Sequence, residues 1–232
     1  MGLYRLKSDE GLKNYGEHFN EDVVEWSINH GEGRDLEESW NYRYKYEASI
    51  ISQIIEQNQF KKVLELGSGP GVLSQEVLKL APNVDYYLID RIDAKKTFEE
   101  RLYKGIFFVK DLYKDFDTTD IPTDFDLVIA NDFLEHISNP SLILKTCYSL
   151  TKEKSNMFIS VPNWRMGHGF LYRGLFDYDN WIYFSMCHGW VVDSVYPSSL
   201  ICQSFPKLSS ESCMDDSLLT SWNWYFDSKK VT

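Results

Sequence analysis

The sequence predicts one three-layer α/β/α domain, built on a doubly wound, mostly parallel sheet with an antiparallel C-terminal strand. Short apolar runs bounded by turn residues alternate with helix-length segments between residues 44 and 163. One of these runs also leads directly into a glycine-rich turn and then a helix. Such alternation is typical of βαβ units, whose parallel strands are covered by helices on both faces. A chain of 232 residues is long enough to bury the core of one such domain.

The elements are predicted in order along the chain. Residues 1–43 are polar and acidic without a firm period, so we expect an N-terminal lid or cap there and the main domain at 44–232. From Tyr44 to Ile55 apolar residues recur every three or four positions, which predicts an amphipathic helix. The predicted strands are KVLEL (62–66), DYYLID (85–90), GIFFVK (105–110), FDLVIAN (125–131) and NMFISVP (156–162). The predicted helices between them are GVLSQEVLKLA, DAKKTFEERLY and NPSLILKTCYSLTKE.

The pattern changes after Asn163. An aromatic-rich insertion at about 163–190 has no clean period, so we expect a long connection over the ligand end of the sheet. Its aromatic side chains could wall an acceptor pocket, and the alternative is packing in the core or contact between two copies in a homodimer. The terminal strands are predicted at WVVDSVY (190–196) and WNWYFDS (222–228), and we expect them to be antiparallel.

Composition excludes several classes of partner. The net charge of −11 and the pI near 4.9 disfavour binding to nucleic acid, because the field of the chain repels polyanions. The four cysteines are scattered without a C-x-x-C pair, so we expect reduced thiols, a cytoplasmic location and no metal site. No apolar run approaches the length of a membrane span, so no membrane partner is expected.

The glycine-rich turn spans Gly67 to Gly71 and gives a ligand access to bare backbone at a helix N-terminus, although a packing role is the alternative. A triphosphate loop requires Lys and then Ser or Thr after its second glycine, but Val72 and Leu73 follow Gly71. The dinucleotide fingerprint requires glycine at position 72, where Val72 stands. A cofactor that contains adenosine but no phosphate is therefore the first choice, and NAD is the second.

The stretch VLELGSGPG resembles motif I of the class I S-adenosylmethionine-dependent methyltransferases, an acidic residue followed by G-x-G-x-G. Glu65, Gly67, Gly69 and Gly71 match it position by position. The stretches VKDLYK, FDLVIANDFLEHI and SVPN resemble later motifs, so the likeness covers about residues 44–163. SVPN is similar to the strand end of ubiquinone-type O-methyltransferases and related small-molecule groups. The resemblance implies a Rossmann-like fold and the cofactor S-adenosyl-L-methionine, with S-adenosyl-L-homocysteine as product.

The resemblance also implies roles for individual side chains. Asp90 ends the second predicted strand, where its carboxylate takes the ribose hydroxyls, and Asp111 contacts the adenine amino group. Asn131, Asp132 and Phe133 lie beside the sulfonium and the acceptor. The predicted cofactor-binding residues are Glu65, Gly67, Ser68, Gly69, Gly71, Asp90, Arg91, Asp111, Leu112, Asn131, Asp132 and Phe133.

Two residues are predicted to be catalytic. Methyl transfer from a sulfonium is an in-line displacement, in which alignment supplies about 7 to 11 kcal/mol. An acceptor that arrives protonated also needs a general base, and His136 is the candidate because it follows the fourth strand. Asp132 could orient the acceptor or the donor. The alternatives are a capping or packing role for His136 and an N-terminal helix cap for Asp132.

The acceptor class is narrowed by missing motifs. The sequence has NDFL where amino-methylating nucleic-acid enzymes carry N/D-P-P-Y/F/W, and no cysteine follows a proline. We therefore expect methyl transfer to an oxygen or nitrogen of a small molecule, with Arg43 and the N-terminal aromatic residues among the candidate acceptor contacts. The alternatives are an NAD-linked oxidoreductase on the same fold, a methyltransferase acting on a protein, or a binding subunit that keeps the pocket.

Overall fold

The computed structural model describes residues 35–69, 71–91, 105–112, 116–162, 178–198, 208–209 and 223–231. The helices are α1 (Asp35–Asn58), α2 (Val72–Leu80), α3 (Pro140–Leu150) and α4 (Tyr178–Met186), and a 3-10 turn spans Leu134–His136. The strands are β1 (Lys62–Leu66), β2 (Asp85–Asp90), β3 (Ile106–Val109), β4 (Phe125–Asn131), β5 (Thr151–Pro162), β6 (Trp190–Ser198), β7 (Leu208–Ser209) and β8 (Asn223–Lys230).

The strands form one sheet in the order β3-β2-β1-β4-β5-β8-β6-β7. Strands β1 to β5 pair in parallel, whereas β8 is antiparallel to both β5 and β6. The short β7 is antiparallel to β6. The predicted fold class is confirmed, including the antiparallel C-terminal strand. The order reverses between β1 and β4, so a crevice opens there at the carboxyl ends of the strands, where doubly wound sheets bind ligands.

Most predicted elements are present, and the bounds of some of them differ from the prediction. Strands β1, β2 and β4 have the predicted bounds, β3 is shorter, and β5 begins earlier, at Thr151. Helix α1 begins at Asp35 rather than near Tyr44, so the expected boundary between lid and domain falls inside this helix. The helix predicted at DAKKTFEERLY and residues 163–177 of the aromatic insertion lie outside the described residues.

Helix α4 corrects the expectation of a connection without periodic structure. Trp181 on this helix is completely buried, and Phe184, one turn later, is half-buried against the same core. Tyr183 lies between them in sequence and is 69% exposed. Because large aromatic residues occupy both the buried and the exposed face, the helical period is hidden when the sequence is read by hydrophobicity alone.

The two faces of the sheet carry separate cores. Helices α1 and α2 pack on one face, where Ile51 and Val77 are buried. Helices α3 and α4 pack on the other, where Leu144 and Trp181 are buried. Strand β4 is buried up to Asn131, as expected for a central parallel strand. Among the described helices, none has the length and apolar character needed to cross a membrane.

Candidate functional site

The glycine turn forms the floor of the crevice. Gly67, Gly69 and Gly71 have φ angles of +65°, +51° and +75°, a left-handed conformation that costs other residues about 1 to 2 kcal/mol. The amide groups of Gly67 and Ser68 donate to the carbonyl of Ile89, at 2.8 and 3.2 Å. The turn is therefore fixed against the end of β2 by its own backbone.

Asp90 stands at the end of β2, directly beside this turn. It is buried, and its Oδ2 accepts a hydrogen bond from the Gly69 amide at 2.8 Å. The backbone carbonyl of Asp90 accepts from the Lys110 amide at 2.8 Å, which brings the following residues Asp111 and Leu112 to the adjacent strand end. Arg91, the next residue after Asp90, is half-buried. The structure thus brings the predicted ribose and adenine side chains to neighbouring strand ends.

Glu65 lies beneath the turn. Its Oε2 accepts hydrogen bonds from the Ser74 hydroxyl and the Tyr86 hydroxyl, both at 2.7 Å. Burial raises the pKa of Glu65 to about 7, the two hydroxyl groups oppose this shift, and the charges of Glu47 and Asp90 add to it. The carboxyl group therefore links β1, β2 and α2 under the ligand floor.

The end of β4 makes a sharp turn at Asp132, whose φ is +45°. The Asp132 amide donates to the Ser160 carbonyl at 3.0 Å, and its Oδ1 accepts from the Ser160 hydroxyl at 2.8 Å. Its Oδ2 accepts from the Arg43 guanidinium. The predicted alternative of a helix cap is not observed, because the 3-10 turn has Phe133 at its N-cap and no side-chain capping bond.

Phe133 connects this turn to the glycine floor. A Cβ built on Gly67 would lie 2.4 Å from Cδ2 of the Phe133 ring, which is too close for two carbon atoms. Only glycine therefore allows the ring of Phe133 to lie against the backbone at position 67. The two halves of the crevice, the glycine turn and the end of β4, are thus in contact.

Arg43 and Glu47 belong to the site, and sequence reasoning missed Glu47. Arg43 Nε donates to Glu47 Oε1 at 2.6 Å, and Asn131 Nδ2 donates to Glu47 Oε2 at 3.1 Å. Burial raises the pKa of Glu47, with Arg43 opposing and Asp132 adding to the shift. A signal was present in the sequence, because Glu47 is a charged residue within the apolar stripe that includes Tyr44 and Ala48.

His136 ends the 3-10 turn that follows the β4 end. Its side chain is 19% exposed, and its Nε2 lies 3.6 Å from Glu135 Oε1. Burial raises the pKa of Glu135 well above its usual range, and the charge of Asp132 adds to the shift. The His136 amide donates to the Phe133 carbonyl at 3.0 Å. The two residues predicted to be catalytic therefore lie at the two ends of the short segment that joins the end of β4 to the end of the 3-10 turn.

Two polar atoms at the crevice fit a bound ligand. Within the described part of the chain, Ser68 Oγ and Asn131 Oδ1 are buried and have no hydrogen-bond partner. An unsatisfied buried polar atom costs about 1 to 3 kcal/mol, so a ligand that supplied the partners would stabilise the site. In the described residues, no three His, Cys, Asp or Glu side chains are arranged to hold a metal ion.

Known proteins with similar sequences or structures include several methyltransferases. A ubiquinone biosynthesis O-methyltransferase from Glaesserella parasuis is 34% identical over 110 residues, which are 44% of this chain and 46% of that protein. The matched region thus spans less than half of the relative's length.

Solved structures share the fold over nearly the whole chain. A 1,6-didemethyltoxoflavin-N1-methyltransferase from Burkholderia thailandensis, with bound 1,6-didemethyltoxoflavin and S-adenosylhomocysteine, has a TM-score of 0.64 at 14% identity, covering 100% of this chain and 94% of its own. The magnesium protoporphyrin IX methyltransferase of Synechocystis PCC 6803, with bound S-adenosylhomocysteine, has a TM-score of 0.63 at 14% identity, covering 95% of this chain and 99% of its own. A family model described as a methyltransferase domain matches residues 39–205, well over half of the chain, and this protein therefore belongs to the methyltransferase domain family.

Proposed function

We propose that this protein is an S-adenosylmethionine-dependent methyltransferase that methylates an oxygen or nitrogen of a small molecule. The observation that carries the proposal is Asp90, a buried carboxylate that holds the Gly69 amide at the point where the strand order reverses. A carboxylate beside bare glycine backbone suits the paired hydroxyls of a ribose. Asp111, which follows the next strand end, would then contact the adenine.

Charge favours a cationic ligand over a pyrophosphate. The buried or half-buried carboxyl groups of Glu47, Glu65, Asp90 and Asp132 surround the crevice, and Arg43 contacts two of them. A dinucleotide would bring two further negative charges into this field, whereas S-adenosylmethionine, with a sulfonium, an ammonium and a carboxylate, brings a net positive charge. The unsatisfied Asn131 Oδ1 is an acceptor, which suits a donor such as that ammonium.

The protein's part in the reaction is to align the methyl donor with the acceptor and to take a proton from the acceptor. S-adenosylmethionine supplies a methyl group that its sulfonium charge already activates. Asn131, Asp132 and Phe133 at the end of β4 would orient the donor and the acceptor, and His136 on the same turn would take a proton from a hydroxyl or ammonium acceptor. We expect His136→Gln to lower the methylation rate of phenols and amines while S-adenosylhomocysteine still binds. An unchanged rate would remove His136 from the mechanism.

The acceptor is proposed to be small. Of the three proteins named above, one is named as an O-methyltransferase and one as an N1-methyltransferase, and the names of the two solved structures specify small molecules. The net charge of −11 disfavours a polyanionic acceptor. A cytoplasmic location stays a prediction that rests on the scattered cysteines. Methylation of a protein acceptor by the same site is the alternative that an acceptor screen would detect.

The proposal is tested by ligand binding. We expect calorimetry to show binding of S-adenosylhomocysteine to the wild-type protein, and Asp90→Ala to weaken this binding at least about tenfold, because two hydroxyl hydrogen bonds to a buried carboxylate are lost. Asp85→Ala is the matched control, since Asp85 is exposed at the other end of the same strand. Its affinity should equal that of the wild type.

Two results would contradict different parts of this proposal. Thermal stabilisation by NADH, with none by S-adenosylhomocysteine, would replace the methyltransferase with an oxidoreductase. Equal affinities of the wild type and Asp90→Ala for S-adenosylhomocysteine would mean that the nucleoside does not lie against Asp90.

A further inference from the structure

Five side chains form a connected cluster between helix α1 and the sheet, which we name the α1 clamp. They come from α1, from the end of β4, from the turn after it, and from β5. The members are Arg43, Glu47, Asn131, Asp132 and Ser160.

Arg43 is the centre of the α1 clamp. Its Nε binds Glu47 one turn along α1, and its Nη2 binds Asp132, which is 89 residues away in sequence. Ion pairs on an exposed helix surface contribute little, but here the Arg43 side chain is 13% exposed and that of Glu47 is fully buried. Removing the guanidinium would leave the fully buried Glu47 carboxylate without its cation and close to the carboxylate of Asp132, whose side chain is 25% exposed, and this is unfavourable.

The remaining carboxylate oxygens are used as well. Glu47 Oε2 accepts from Asn131, at the last position of β4, and Asp132 Oδ1 accepts from Ser160 on β5. Each carboxylate therefore contacts Arg43 with one oxygen and the sheet with the other. A lysine could keep the charge, but its single ammonium lacks the planar fork that binds both carboxylates at once.

The α1 clamp holds a turn that would otherwise be unfavourable. The left-handed conformation of Asp132, at φ +45°, costs a non-glycine residue of the order of 1 kcal/mol, so surrounding contacts must maintain it. This turn directs the next residue, Phe133, onto Gly67. A change in the Asp132 conformation would therefore move the ring that lies on the glycine floor.

We propose that Arg43 is a positioning residue for the cofactor, acting through Asp132 and Phe133 on the glycine turn rather than by touching the ligand. The inference rests on the proposed function, because the glycine turn is taken as the floor under S-adenosylmethionine. Helix α1 thereby becomes part of the cofactor site, although the sequence places Arg43 among candidate acceptor contacts.

The first experiment measures S-adenosylhomocysteine affinity by calorimetry in Arg43→Gln, Arg43→Lys and the matched control Lys45→Gln. Lys45 is an exposed lysine on the same helix, so its variant removes one positive charge without touching the α1 clamp. We expect about a tenfold loss of affinity for Arg43→Gln, about a threefold loss for Arg43→Lys, and none for Lys45→Gln. A loss of twofold or less in Arg43→Gln would overturn the inference.

The second experiment separates positioning from direct contact by a double-mutant cycle with Phe133→Leu. If Arg43 acts through Phe133, the double variant should bind S-adenosylhomocysteine within about twofold of the weaker single variant. Losses that multiply would show that the two residues act independently, and would also overturn the inference. If Arg43→Gln does not fold, the same cycle is made with Arg43→Lys.

The two proposals fail in different ways. A wild-type protein that binds no S-adenosylhomocysteine contradicts the proposed function, whatever the Arg43 variants do. A wild type that binds it, together with Arg43 variants that bind equally well, contradicts the positioning role alone.

Discussion

Glu65 shows, at the scale of one residue, what the structure adds to a motif. The motif resemblance implies contact with the cofactor, which stays a prediction, and the structure gives the carboxyl group Ser74 and Tyr86 as hydrogen-bond partners. Both hydroxyl groups donate to the same oxygen. A carboxyl group in such a position can support the floor whether it is charged or neutral, provided that oxygen still accepts.

We predict that Glu65→Gln makes the protein more stable than the wild type above pH 7 and equally stable near pH 4. The pKa of Glu65 rises from 4.5 to about 7 on folding, so between these pH values the folded state holds a proton that the unfolded state has released. Wild-type stability therefore falls as pH rises from 4.5 to 7, and the neutral amide avoids this loss. The difference, measured by urea unfolding, should reach roughly 3 kcal/mol at pH 8.

The control for this prediction is Glu56→Gln, because Glu56 is exposed on α1. The difference between this variant and the wild type should stay constant across the same pH range. If the free energies of unfolding of Glu65→Gln and the wild type differed by the same amount at every pH, Glu65 would have an ordinary pKa in the folded protein.

At the scale of elements, sequence patterns predicted the strands whose bounds are set by local burial of apolar residues. Strands β1, β2 and β4 are continuous apolar runs that end in turn residues, so their bounds follow from the sequence alone. The positions of the glycine turn and Asp90 were also predictable. Each directly follows or ends a predicted strand, and the carboxyl ends of neighbouring parallel strands lie side by side. Contacts between distant elements were not predictable, and the pairing of Arg43 with Asp132 is the main case.

Helix α4 gives an element-scale prediction, since its attachment depends on Trp181. This side chain is fully buried on the α3 side of the sheet and makes an edge-to-face contact with the ring of Phe184. Trp181→Ala should lower the free energy of unfolding by about 3 to 5 kcal/mol in urea titrations, the range for a truncated core aromatic. Tyr183→Ala, at a site 69% exposed, should change it by less than about 0.5 kcal/mol.

A further variant, Trp181→Phe, decides between two roles of Trp181 in the aromatic insertion, in the core or in a wall of the ligand pocket. A core role predicts that Trp181→Phe, which keeps most of the packing, binds S-adenosylhomocysteine as the wild type does. If Trp181 instead lines the ligand pocket, Trp181→Phe should bind S-adenosylhomocysteine more weakly while its stability stays close to that of the wild type.

At the scale of the whole molecule, the charge is predominantly negative. The chain carries a net charge of −11, which includes the buried and half-buried carboxyl groups at the crevice. Arg43 compensates two of them, Glu47 and Asp132, through direct contacts. The field therefore favours a ligand with positive charge, in both approach and binding.

S-adenosylmethionine and S-adenosylhomocysteine test this field directly, because they differ by one methyl group and one positive charge. Screening weakens interactions of exposed charges beyond about 10 Å at 0.1 M salt. Raising NaCl from about 0.05 to about 0.5 M should therefore weaken binding of S-adenosylmethionine about threefold, while binding of the product, a zwitterion without net charge, changes by less than about twofold. Each affinity is measured by calorimetry on the same protein, so the product serves as the control. Equal salt dependence of the two ligands would mean that the net charge of the protein does not act at the crevice, and that donor and product are distinguished by local contacts alone.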